Sequence, residues 1–120
     1  MPEGDSIQRS AAALRSALVD TKMIRFDAPC LIGIVPKAGR TIVRVEGDGK
    51  HLEIEWDDGI ILHTHLRRSG FWDLYHKDDI WQRPHREMRA VIETAAWSAV
   101  CFNAPTVETW FRVVKPSPGK

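Results

Sequence analysis

Cysteine is scarce in this chain: Cys30 and Cys101 are the only two in 120 residues, and no Cys-x-x-Cys pair occurs. That argues against a disulfide framework, rules out a four-cysteine zinc site, and fits two reduced thiols in a cytosolic protein. No apolar run approaches the ~20 residues of a membrane span, and the start lacks a secretory signal pattern. An excess of charge is missing too. Lys and Arg number 17 against 16 Asp and Glu, so composition gives no support for nucleic-acid binding and any basic footprint must be local. Repeats and low-complexity segments are absent, and only the end, residues 115–120, reads as a loose tail. What is present, 43% apolar and 28% charged residues, describes one soluble domain with a real core over 1–114.

The pattern along that domain is one helix followed by strands. Ile7, Ala11, Leu14 and Leu18 fall at i, i+4, i+7 and i+11, an apolar stripe at the helical period. Asp5 followed by Gln8 predicts a capping box and a helix start at Asp5. Beyond it, 22–28 and 41–45 are short candidate strands, and Gly47-Asp48-Gly49 is turn chemistry. Residues 51–56 alternate Leu52, Ile54, Trp56 against His51, Glu53, Glu55, and Asp57-Asp58-Gly59 turns the chain into a returning strand over 60–66. Residues 71–75 form another strand before the polar loop 77–86, and 88–94 with 98–102 read as a final hairpin. Short strands with regularly spaced turns predict a mainly β fold, an antiparallel β-sandwich with one or two helices.

The first residues, Met1-Pro2-Glu3-Gly4-Asp5, carry the distinctive chemistry. A terminus placed at a helix start sits where unpaired N–H groups and the macrodipole favour anions such as phosphate. Loss of Met1 would expose Pro2 as a secondary amine. An α-amino group titrates near ~8 against ~10.4 for lysine, roughly 300 times more neutral amine near neutral pH. Attack on a carbonyl carbon gives an iminium ion, with Glu3 adjacent in sequence as acid or base. While Met1 remains attached, the Pro2 nitrogen is an amide with no lone pair to offer, and the chain is expected to be inert as a lyase.

Three further stretches invite both bland and functional readings. Lys50 follows a glycine turn, which is a solvated charge or a point-charge partner for phosphate. His63 and His65 share a strand face at i and i+2, which is a metal-ligand spacing but also suits two hydrogen-bonded strand histidines. No third ligand stands at a recognisable spacing, so no metal or other cofactor is predicted. Asn103-Ala104-Pro105 reads as a turn, and Arg83-Pro84-His85-Arg86 with Arg89 is a solvated loop or a phosphate contact.

The N-terminal Met1-Pro2-Glu3-Gly4-Asp5 resembles that of the formamidopyrimidine-DNA glycosylase / endonuclease VIII family of base-excision repair enzymes. Its Glu-Gly pair is similar to the endonuclease VIII branch. Gly49-Lys50-His51-Leu52 resembles the family's active-site lysine turn, which assigns Lys50 to the damaged nucleotide and to proton transfer. His65-Leu66-x-x-Ser69-Gly70 resembles the loop whose methionine fills the gap left by a flipped nucleotide. The matching residue here is Arg68, a departure, although a guanidinium plane can stack on bases. Arg67, Arg68, His65 and His85 are the expected DNA contacts. The family's Asp-Pro-Arg-Arg-Phe probe of the opposite base has Thr106 and Val107 instead, so that recognition is expected to differ. The Asn-Ala-Pro form resembles an actinobacterial endonuclease VIII-type subgroup.

The resemblance implies that the helix packs on the two-sheet sandwich and that Pro2, Glu3 and Lys50 are catalytic. It further implies a bifunctional glycosylase and abasic-site lyase that releases oxidised pyrimidines and cuts by β- or β,δ-elimination. The partner is damaged double-stranded DNA, and the setting is a monomer in the bacterial cytoplasm, associated with the nucleoid. Helix–two-turn–helix and zinc-finger domains of the family have no counterpart in this chain. Its abrupt end after Val113-Val114-Lys115 favours a domain excised from a longer protein over a natural half-length one. A non-catalytic DNA-binding or interaction module with the same fold stays open, as does, less readily, a metal-dependent sandwich enzyme.

Overall fold

A computed structural model describes the backbone of residues 3–112 and the side chains of residues 7–112. Pro2, the side chain of Glu3 and the tail 115–120 lie outside the described residues. The helix α1 spans Glu3–Leu18, and its buried face is the predicted stripe: Ile7, Ala11, Leu14 and Leu18 are each less than a tenth exposed. Burying each Leu or Ile stabilises by roughly 1.5–3 kcal/mol, enough to fix a helix of this length. The helix begins before Asp5, which is its third residue, so Asp5 does not cap it. Gln8 does not close a capping box either; its amide donates to the Gly47 carbonyl at 2.6 Å, tying the helix to the sheet.

Eight strands follow, β1 (Arg25–Asp27), β2 (Ile42–Asp48), β3 (His51–Trp56), β4 (Ile60–His65), β5 (Phe71–His76), β6 (Met88–Glu93), β7 (Trp97–Phe102) and β8 (Thr106–Phe111). They build two four-stranded antiparallel sheets, ordered β1-β6-β7-β5 and β2-β3-β4-β8. The main core lies between the sheets and under α1, centred on Leu14, Leu18, Leu52, Ile54, Trp56 and Leu62. A smaller cluster, Tyr75, Val91, Val100 and Phe102, sits apart from it with Phe71, Trp81 and Met88 packed against it.

Three further expectations are corrected. The strand expected over 22–28 is reduced to Arg25–Asp27, because Met23 exchanges backbone hydrogen bonds with Gly39 and Arg40 instead of continuing the β6 pairing. Gly47 and Asp48 continue β2 as partners of Leu52 and His51, which leaves Gly49-Lys50 as the turn. Gly47 allows this close packing: a Cβ there would stand 2.8 Å from Ile7. The largest correction is β8, unforeseen after the 103–105 turn. It pairs with β4 along its whole length and buries Val107 and Thr109.

Candidate functional site

Local hydrogen bonds gather several loops at one end of the sandwich. Gly49 takes φ +60°, which glycine adopts without strain, and turns β2 into β3. The Lys50 carbonyl then accepts the Leu66 N–H at 2.8 Å, so the turn is fastened to the segment that leaves β4. That segment folds back on itself through Gly70 N–H to the Leu66 carbonyl, 2.8 Å. Gly70 is required there: a Cβ would lie 2.7 Å from Leu66 O and 2.9 Å from Ala104 Cα. The Ser69 hydroxyl donates to the Asn103 carbonyl at 3.2 Å. Asn103 in turn donates its backbone N–H and its amide to Glu87, both at 2.9 Å, which brings in the short 3-10 helix His85–Glu87.

Lys50, His65, Arg67, Arg68 and Ser69 line an open pocket of about 440 Å³ at this end. Arg67 and Arg68 are exposed, and Lys50 is half-buried. The His65 imidazolium is disfavoured, by burial first and then by the positive neighbours His51, Arg67, His63 and Lys50. The composition of this pocket, point charges beside a guanidinium fork, suits an anion such as a phosphate oxygen.

Of the residues singled out in the sequence, the structure therefore joins Lys50, His65, Arg67 and Arg68. His85 stands on the 3-10 helix at the same end but does not line the pocket; its ring stacks on Trp81 at 4.1 Å. Nearby, the Arg83 guanidinium lies 5.0 Å from the Phe71 ring centre, and Arg89 donates to the carbonyls of Arg86 and Met88. Val107 is buried in β8, a place from which it cannot touch a base. Cys30 and Cys101 are free, and burial pushes the Cys101 thiol far up.

Two polar residues at this site were not visible as such. In the sheet register His51 faces His65, and His63 faces Glu108. His51 stacks on His65 with ring centres 4.2 Å apart, and lies edge to edge with the nearly parallel ring of His63, centres 4.9 Å apart. Nδ1 of His51 lies 2.7 Å from Nε2 of His63, whose own Nδ1 lies 2.8 Å from Glu108 Oε2. The signal for Glu108 was the alternation of Val107 and Thr109 against Thr106, Glu108 and Trp110, a half-buried strand at period two. Among the described residues no group of three or more His, Cys, Asp or Glu is arranged to hold a metal ion. Among the same described residues no helix is long and apolar enough to cross a membrane.

The model of the formamidopyrimidine-DNA glycosylase N-terminal domain matches residues 1–107. The chain is 32% identical over 110 residues to the probable endonuclease 8 2 of Streptomyces coelicolor. It is 38% identical over 109 residues to the DNA-(apurinic or apyrimidinic site) lyase Nei2 of Mycolicibacterium smegmatis. Each match takes in 90% of this chain but only 40% and 41% of the relative, so the chain spans well under half their length. Among solved structures, wild-type Lactococcus lactis Fpg in complex with DNA containing N7-benzyl-Fapy-dG superposes with a TM-score of 0.72. That likeness covers 92% of this chain and 43% of the other at 21% identity, and it shows a shared fold. The same enzyme bound to DNA containing an oxidised pyrimidine also superposes at 0.72.

Proposed function

The chain belongs to the formamidopyrimidine-DNA glycosylase family as its N-terminal domain, and on that premise we propose that it is the catalytic half of a base-excision repair glycosylase and abasic-site lyase. The observation that carries this reading is the gathering of Lys50, His65, Arg67 and Arg68 around one anion pocket, by turns that the backbone locks together. Residues of the N-terminal motif supply the reacting groups.

With Met1 removed, the Pro2 nitrogen attacks C1′ of the damaged nucleotide, and the bond from C1′ to the base breaks as the base leaves with a proton. Glu3 assists opening of the sugar ring. The resulting iminium acidifies the C2′ hydrogen; loss of that proton expels the 3′ phosphate by β-elimination, and δ-elimination can follow. Lys50 binds the phosphate of the damaged nucleotide and moves protons, while Arg67, Arg68, His65 and His85 hold the surrounding backbone. Neither a metal nor an organic cofactor is needed for this amine chemistry. Oxidised pyrimidines are the proposed substrates, on the likeness of Glu3-Gly4 to the endonuclease VIII branch and on the names of the relatives. Residues 1–114 form the catalytic domain of a monomer that works on damaged duplex DNA in the cytoplasm, at the nucleoid.

The test is borohydride trapping on abasic DNA with the N-terminus defined by intact mass. Enzyme that begins at Pro2 is expected to form a covalent adduct, whereas the Met1-bearing form yields none. Glu3→Gln is expected to slow base release. Binding without trapping by the processed form overturns the catalytic assignment in favour of a non-catalytic DNA-binding module. The departures at Arg68, Thr106 and Val107 from the family's intercalating and probing residues are the feature that keeps that rival specific.

A further inference from the structure

The proposed chemistry uses the rim of the pocket and leaves the ring stack behind it without a role. Hydrogen-bond logic fixes the proton positions in that stack. Glu108 is a carboxylate that only accepts, so His63 must present Nδ1–H to it across 2.8 Å. Neutral His63 therefore has a bare Nε2, which accepts Nδ1–H from His51 across 2.7 Å. The carboxylate thus sets both tautomers, and Nε2 of His51 is left as the acceptor at the far end of the chain. A proton arriving there charges His51 in place, 4.2 Å from the ring of His65. His65 itself lines the anion pocket.

The surroundings balance that charge. Asp48 lies opposite His51 across β2 and β3, and Glu46 and Glu53 border the same hollow. Arg44 already engages Glu46 at 3.4 Å and Glu53 at 3.2 Å, which weakens their pull on a proton. From β8, Glu108 faces the chain with a negative charge, while at the other end Lys50 and Arg67 line the pocket beside His65 with positive charge. An anion entering the pocket offsets that positive charge.

We propose that His51, His63 and Glu108 form a proton-linked extension of the phosphate pocket, so that a DNA phosphate at Lys50, His65 and Arg67 and a proton on the histidine chain each favour the other. The inference rests on the DNA-binding reading above and adds to it a regulation of affinity by pH. Linkage makes the effect reciprocal: the bound phosphate raises the proton affinity of the chain, and DNA affinity climbs as pH falls through its titration.

The experiment is fluorescence anisotropy with a short duplex carrying a non-cleavable abasic analogue, at low and constant ionic strength. Affinity is expected to rise about fivefold from about pH 7.5 to about pH 5.5. His51→Gln and His63→Gln should flatten the profile to about twofold or less, the remainder belonging to His65 and His85. Glu108→Gln should move the midpoint to lower pH, a shift that mere structural damage does not produce. His76→Gln, a ring stacked on Trp97 in the other sheet, should keep the native profile. A native profile in His51→Gln or His63→Gln, or an unmoved midpoint in Glu108→Gln, overturns the inference while leaving DNA binding intact. Loss of all binding together with absence of a trapped adduct overturns the functional reading beneath it.

Discussion

The outward face of the β2-β3-β4-β8 sheet carries acids, arginines and three histidines, whereas the outward face of the β1-β6-β7-β5 sheet carries Tyr75, Val91, Val100 and Phe102. The second face is covered from the 77–88 segment by Trp81 and Met88, and Gln82 N–H donates to the Tyr75 hydroxyl at 3.1 Å. One face is thus closed with apolar packing and the other is left wet and titratable. Both sheets bury their inner faces against the same core, so the outer faces are where their roles part. The closed face adds stability, and the open one leads along its strands to the Lys50 pocket.

The largest expected effect comes from damaging the closed face. Phe102 is fully buried and touches both Phe71 and Trp81, at centroid distances of 5.6 and 5.9 Å. Phe102→Ala should cost about 3–5 kcal/mol in denaturant unfolding, because a ring-sized cavity opens under the loop. Change of that size without any change in the pH profile of DNA binding would sharpen the contrast. A cost under about 1 kcal/mol would break it, since the cover would then be loosely packed.

The open face has one structural anchor of its own. Glu55, only 7% exposed, accepts from Arg112 at 2.6 and 2.8 Å and from Arg44 at 2.8 Å. The Arg112 hydrogen bond, aided by Arg44 and opposed by burial, holds its carboxyl at about 2. A depressed folded pKa means stability that is fully present above the unfolded value near 4.5 and is lost as pH falls towards 2. Arg112 is half exposed, so solvent screening trims that contribution well below what the carboxyl shift alone implies. Glu55→Gln should lose that contribution at neutral pH and unfold with a flatter acid limb below about pH 4.5. An unchanged acid limb would show that the face is held by its inner side chains alone.

How much of this was readable in the sequence follows from the same contrast. The helix stripe and β3 were legible because burial on one side writes a period into the chain, as Ile7, Ala11, Leu14 and Leu18 show. Lys50, His65, Arg67 and Arg68 were legible as a motif, since turn residues and basic residues cluster locally. The histidine chain was not. His51 meets His63 only through the β3–β4 register, and His63 meets Glu108 only because β8, 45 residues on, pairs with β4. β8 itself was hidden by a turn that drew attention to the loop before it. Contacts across strands far apart in sequence leave no periodic trace, and they assemble the back of the site.

The smallest expected effect concerns the backbone at the tip of that site. Four non-glycine residues have positive φ among those described: Asp20, Arg67, Asp78 and Asn103. Asp and Asn tolerate the left-handed region because their short polar side chains bond locally, but Arg gains nothing there. Arg67, at φ +52°, is therefore held against its preference at the rim of the pocket. Strain kept at one exposed residue calls for a reason outside folding, and the phosphate contact proposed above would supply it. Arg67→Asn should relieve the strain and raise stability by roughly 0.5–1 kcal/mol, measured by denaturant unfolding. The same change should weaken DNA binding and reduce the slope of log affinity against log salt by about 1, the signature of one lost phosphate contact. Opposite signs in the two measurements are what an open face built for binding requires. Stability that falls together with affinity would mean that Arg67 is a structural residue, and the division of labour between the two faces would not extend to the tip.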